Sequence, residues 1–194
     1  MGAFCAHFLM LRMVFAIRDF LLSRFCMRKR IRRLTHAAII AALYVVLTNF
    51  QNLILPGSAT WAIQCRVSEA MCILALFTPA AIPGLSIGCL LFNLNYAAAL
   101  PIDWFVGTLA TFLATTCMYA LRQVKIGSFP LPALLMPALW NALLVGAELT
   151  FYFGGGFGLN ATYVALGELI VLLVFGSALY YGMTRRRLDK TLFG

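Results

Sequence analysis

The sequence predicts an all-α integral membrane protein of six transmembrane helices with both termini in the cytoplasm. Three observations carry this. The first is composition: 63% of the 194 residues are hydrophobic and only 11% are charged, where soluble domains carry about 25% charged residues. With a mean hydropathy of +0.93, the membrane is the class that fits. The second is where the charges fall. Arg12, Arg18, Arg24, Arg28, Lys29, Arg30, Arg32 and Arg33 precede the first long apolar run, Arg122 and Lys125 share one mid-chain connection, and Arg185, Arg186, Arg187 and Lys190 follow the last run. Only Arg66 lies elsewhere. The third is the number of apolar runs: with six, both basic ends and the one basic connection share a side, as the positive-inside rule requires. A net charge of +9 laid out this way is a topology signal, and nucleic acid is not expected as a partner.

In chain order, residues 1–35 form a basic N-terminal segment. His7, Arg12 and Arg18 interrupt its apolar runs, so none reaches the roughly 20 residues a span needs. Residues 1–33 read equally as an interfacial amphipathic helix or as a start set too early, with Met27 the true beginning; no cleavable signal peptide is expected. Span 1 covers roughly 36–55 and is small-faced at its inner end, where Ala37/Ala41 and Ala38/Ala42 form overlapping small-x-x-x-small pairs. Such a face lets another helix approach closely, from this chain or from a partner. Its outer half turns polar (Thr48, Asn49, Gln51, Asn52) before a loop at Pro56-Gly57-Ser58. Spans 2 and 3, roughly 64–78 and 80–96, come from one stretch broken at Thr78-Pro79 and Pro83-Gly84. The shortness of span 2 suits a helix tilted or broken where it lines a cavity. Spans 4, 5 and 6 are roughly 103–121, 133–153 and 161–183, the fifth preceded by Pro130 and Pro132 and ended by Gly154-Gly155-Gly156. Residues 36–183 thus form the transmembrane domain and 184–194 a basic cytoplasmic tail.

The charges inside the spans matter most, since each costs roughly 2.5–3.5 kcal/mol at mid-bilayer on insertion scales. Asp19 and Asp189 fall in cytoplasmic segments, whereas Glu69, Asp103, Glu148 and Glu168 all fall in or beside the outer halves of spans, together with Arg66. Four carboxylates and one arginine at one depth mark a candidate binding pocket. Simpler roles exist for three of them: Arg66 and Glu69, three apart, can pair on one helix face, and Asp103 can cap span 4. Asn93, Asn141 and Trp140 join the candidates, Asn141 lying seven residues before Glu148 on one helix face. Trp61 and Trp104 fall at outer boundaries and read as interfacial anchors. Such a pocket favours a ligand with several N–H donors or a cationic amine.

Six cysteines without a C-x-x-C pair and two distant histidines support neither a disulfide framework nor a metal site. No G-x-x-x-x-G-K-S/T phosphate loop and no H-E-x-x-H motif occurs. No cofactor and no catalytic residues are expected.

Several motifs agree in order with one family. Gln64-x-Arg66-Val67-Ser68-Glu69-Ala70, then Pro79-Ala80-Ala81-Ile82-Pro83-Gly84-Leu85 and Gly88-Cys89-x-x-x-Asn93, are followed by Asp103-x-x-x-Gly107-Thr108-Leu109-Ala110-Thr111. Asn141-Ala142-Leu143, Val145-Gly146-x-Glu148 and Gly167-Glu168 complete the set. Together they resemble the queuosine-precursor transporter family (QueT) from about residue 36 to 183; residues 1–33 lie outside the resemblance. It implies a six-helix, substrate-binding S component of an energy-coupling factor (ECF) importer in a prokaryotic cell membrane. Such a subunit captures a 7-deazaguanine, such as the aminomethyl compound or queuine, outside the cell, and works with a transmembrane coupling subunit and two ATPases. The resemblance also implies docking on the coupling subunit through Ala37, Ala38, Ala41 and Ala42. Glu69, Glu148 and Glu168 would then accept ligand N–H groups, Arg66 would donate or position, and Asn93 and Asn141 would read the ligand's edge.

Overall fold

A computed structural model describes the backbone of residues 2–56, 66–96, 100, 102–127 and 129–193, and their side chains except those of 2–26, 189 and 190. Among the described residues the regular elements are all helical, apart from one isolated bridge between Ile126 and Phe129. The chain divides into two units, Met1–Thr35 and His36–Gly194. In the first, the residues expected as an interfacial helix are helical from Gly2 onward, as the leading part of α1 (Gly2–Ile54). Trp61, Gln64 and Cys65 lie outside the described residues.

The second unit is built around a buried 3-10 helix, Val67–Leu76. Ten residues is long for this conformation. At about 2.0 Å per residue it reaches roughly 20 Å, where an α-helix of the same length would reach about 15 Å. Ser68, Glu69, Ala70, Met71, Cys72, Ile73 and Ala75 are all buried, against α2 (Ala81–Asn95), α3 (Asp103–Ala120), α6 (Phe157–Val171), a π turn (Leu172–Gly176) and α7 (Ser177–Arg185). The short α4 (Leu131–Leu134) and then α5 (Met136–Phe153) each carry a proline in the first turn, where its missing N–H needs no intrahelical partner. Gly154 and Gly155, both at positive φ (74° and 82°), end α5 in a conformation that favours glycine. The chain closes with α8 (Leu188–Phe193).

Among the described residues, three helical stretches are long and apolar enough to cross a membrane: Met27–Ile54, Leu131–Phe153 and Phe157–Arg185. They correspond to spans 1, 5 and 6 of the sequence reading. Spans 2 and 3 are apolar but shorter, as Val67–Leu76 and Ala81–Asn95. The break expected at Thr78-Pro79 divides that stretch into pieces shorter than a bilayer, whereas the one expected at Pro83-Gly84 is corrected: both residues lie in the first turn of α2, where proline's missing N–H is tolerated. Span 4 is the 18-residue α3. Large apolar side chains such as Val46, Phe50, Leu53, Phe151 and Ile170 face outward, while Thr48, Gln51, Asn93, Thr111, Thr115 and Asn141 are buried; Asn49, Asn95 and Thr162 are exposed polar exceptions. Hydroxyls within helices are satisfied locally: Thr111, Thr115 and Thr150 each donate to the carbonyl four residues back.

The small-residue face of α1 divides in two. Ala37 and Ala41 are buried, while Ala38 and Ala42 are exposed. The buried pair lies against two glycines of α2. A Cβ built on Gly84 would come 2.7 Å from the Ala37 carbonyl oxygen, and one on Gly88 would come 2.8 Å from Tyr44 Cβ and 3.1 Å from the Ala41 oxygen. Gly84-x-x-x-Gly88 is therefore the inner partner of the Ala37-x-x-x-Ala41 stripe, and backbone approaches backbone there.

Candidate functional site

Arg66 precedes the 3-10 helix in extended backbone (φ −83°, ψ 104°), so it does not share a helix face with Glu69. Its guanidinium instead meets Asp103, with Nη2 3.5 Å from Oδ2, both side chains buried. It also lies over the Phe92 ring, 5.8 Å from the centroid. The pairing expected at i, i+3 is thereby corrected, and so is the capping role for Asp103. Ile102 is the N-cap of α3, no side chain caps that helix, and the Asp103 carboxylate points to Arg66. Asn93 on α2 donates to the Asp103 carbonyl at 3.0 Å. Gly107, one turn along α3, leaves the room for this contact, since a Cβ there would come 2.8 Å from Asn93 Nδ2 and 3.3 Å from Asp103 Oδ1.

Glu69 is held by two donors. The Tyr44 hydroxyl gives a bond of 2.6 Å to Oε1 and the Cys72 thiol one of 3.2 Å to Oε2. Further along α1, Thr48 donates to Ser68 Oγ at 2.7 Å, and Gln51 Oε1 accepts the Val67 N–H at 2.7 Å. The C-terminal end of α1 is thus joined by polar contacts to the first turn of the 3-10 helix. From the opposite side, Asn141 on α5 donates to Glu168 Oε1 on α6 at 3.1 Å. Glu148 lies within electrostatic range of Asp103 and Arg66, and Glu168 within range of Glu69 and Arg66. Glu69, Asp103, Glu148 and Glu168 thus all lie within electrostatic range of the Arg66 guanidinium, Asp103 in direct contact with it, and Asn93 and Asn141 bond to two of these acidic residues. All seven side chains are buried.

Among the described residues, Asn93 Oδ1, both Glu148 carboxylate oxygens and Glu168 Oε2 are buried without a hydrogen-bond partner. So are two donors, the Trp140 indole N–H, although the Trp140 ring is only half-buried, and the Asn52 amide nitrogen on α1, whose own Oδ1 is also without a partner. Enclosing a carboxylate without partners costs several kcal/mol, and such groups concentrate where a protein meets a ligand. The balance is lopsided towards acceptors, and a nitrogen-rich or cationic guest complements it.

The family model described as QueT transporter matches residues 34–185, most of the chain. The chain belongs to the QueT family. No curated protein and no solved structure matches it. As a QueT protein it is a membrane protein of a transport family, and each cluster residue named above lies within the matched range.

Tyr44, Thr48, Gln51, Ser68 and Cys72 are contacts that sequence reasoning missed. A signal for the first three was available: Ala37, Ala41, Tyr44, Thr48 and Gln51 follow one helical stripe, and all are buried. Also overlooked was Gly84-Leu85-Ser86-Ile87-Gly88, which has the spelling of the nucleophile elbow G-x-S-x-G. That motif needs a strand-to-helix turn. Here it lies within α2, with the Ser86 hydroxyl donating to the Ile82 carbonyl at 2.8 Å and the two glycines against α1. It is a helix-packing pattern. Trp104, in the first turn of α3, is exposed. No group of three or more potential ligands able to hold a metal occurs among the described residues.

Proposed function

We propose that this chain is the substrate-binding S component of an ECF importer in the cytoplasmic membrane of a prokaryote. It has six spans and cytoplasmic termini, and captures a queuosine precursor outside the cell. Its ligand is a 7-deazaguanine such as the aminomethyl compound or queuine, and uptake is driven by a transmembrane coupling subunit with two ATPase subunits. The observation that carries this reading is the acid-rich cluster around Arg66, with Glu148 and Glu168 holding unpartnered oxygens. A deazaguanine offers ring and exocyclic N–H donors to those oxygens, and an aminomethyl group adds a cation. Its carbonyl suits the Arg66 guanidinium or the Trp140 N–H. Asn93 and Asn141 read its edge, each with its amide already oriented by a bond within the protein.

Docking on the coupling subunit uses the exposed side of α1. Ala38 and Ala42 serve this surface, and Ala37 and Ala41 support it from behind by fixing α1 on α2. An apolar groove of about 720 Å³ runs along the same helix, lined by Ile39, Leu43 and Leu47 of α1 and by Met71, Phe175 and Leu179. The test is a ligand screen on the purified chain by thermal shift and calorimetry, with deazaguanines, riboflavin and folate. Saturable binding of a deazaguanine alone is the expected outcome. Binding of riboflavin or folate instead would keep the class of subunit and overturn the substrate, and turnover of any compound without ATPase partners would overturn the class.

A further inference from the structure

We propose that Tyr44 is a positioning residue of the ligand site: its hydroxyl orients the Glu69 carboxylate, and it ties that carboxylate to α1. The inference rests on reading the Arg66 cluster as the ligand site, and adds to it a residue from outside the charged set. The carboxylates of the cluster are not equivalent. Glu148 has no partner on either oxygen and Glu168 none on Oε2, whereas Glu69 receives a donor on each oxygen, Tyr44 on Oε1 and Cys72 on Oε2. A carboxylate oxygen has a second lone pair, so Glu69 can still accept a ligand N–H, but only along the direction that its two donors leave free.

The phenol that sets this direction has no room to move. Tyr44 is fully buried, and its ring begins in the α1–α2 seam, where a Cβ on Gly88 would lie 2.8 Å from Tyr44 Cβ and 3.1 Å from Cγ. A tyrosine serving only to fill this core would not need its oxygen. Here that oxygen makes the shorter of the two hydrogen bonds that hold the Glu69 carboxylate. The helix whose exposed face carries Ala38 and Ala42 therefore also holds one acceptor of the ligand site.

The test is a double-mutant cycle on the full chain, titrating 7-aminomethyl-7-deazaguanine into wild type, Tyr44→Phe, Glu69→Gln and the double variant, with a melting temperature for each. Tyr44→Phe should weaken binding about tenfold, as loss of one charge-assisted hydrogen bond does. The double variant should bind no more weakly than Glu69→Gln alone. Wild-type affinity in Tyr44→Phe, or losses that simply add, would overturn the inference and leave the phenol as core packing. Should Tyr44→Phe not fold, Cys72→Ala removes the other donor and enters the same cycle with the same expected non-additivity. Absence of binding by the wild-type chain would overturn the functional reading itself, and this inference with it.

Discussion

Gly84→Ala tests the seam on which the site is mounted. The added Cβ would lie 2.7 Å from the Ala37 carbonyl oxygen, 3.1 Å from Ile40 Cβ and 3.2 Å from Ala37 Cα. Two of these atoms are backbone, so no side-chain rotation relieves the contact. Carbon–oxygen contacts settle at about 3.3 Å or more, so α1 and α2 must separate by about 0.6 Å. A gap of that size forfeits roughly a quarter or more of each dispersion contact across the seam, and overpacking of this kind costs about 1–3 kcal/mol. At roughly 2–4 °C per kcal/mol for a chain of this size, the melting temperature in detergent should fall by several degrees. Gly182→Ala is the control, since a Cβ there meets nothing within 4 Å and alanine is the better helix former. Differential scanning fluorimetry of both variants separates the cases. If Gly84→Ala melts with or above Gly182→Ala, the close approach of α1 and α2 is not present and the mounting of Tyr44 loses its basis.

Arg66→Gln leaves Asp103 buried without its cation among three further carboxylates. Breaking such a pair costs about 3–5 kcal/mol, and the variant should show a large loss of folded protein by size-exclusion chromatography, against little loss for Arg185→Gln in the tail. Ala42→Leu places bulk on an exposed position of α1. It should leave ligand affinity unchanged and abolish uptake in cells carrying the coupling module, whereas uptake at the wild-type rate would remove this face from the docking surface. Ala41→Leu is the less informative substitution, because Ala41 is buried against Gly88 and would lower stability as well.

The residues of the cluster were legible in the sequence because the bilayer makes them conspicuous. A charge within an apolar run must be compensated, and Arg66, Glu69, Asp103, Glu148 and Glu168 all prove to be buried together. Their pairing was not legible. Whether Arg66 meets Glu69 or Asp103 depends on the backbone just before Val67, and that a ten-residue apolar stretch winds as a 3-10 helix is decided by what packs on it. The α1 stripe shows the same division. Two small-residue pairs one position apart look alike in sequence, and only the glycines of α2 decide that Ala37 and Ala41 face inward. Tyr44 escaped notice because a tyrosine in an apolar helix is commonplace, and its significance comes from a glutamate 25 positions away. The lengths of the spans were not fully legible, because counting treats every apolar run as equal, while the break around Pro79 leaves two of them shorter than a bilayer.

The central claim is that buried, unpartnered carboxylate oxygens serve a nitrogen-rich ligand. Calorimetric titration of 7-aminomethyl-7-deazaguanine into wild type and Glu148→Gln measures this directly. Glu148 is the carboxylate with no partner on either oxygen among the described residues, so its conversion to an amide should weaken binding by at least tenfold with no loss of thermal stability. Equal affinity in the two proteins would contradict the account.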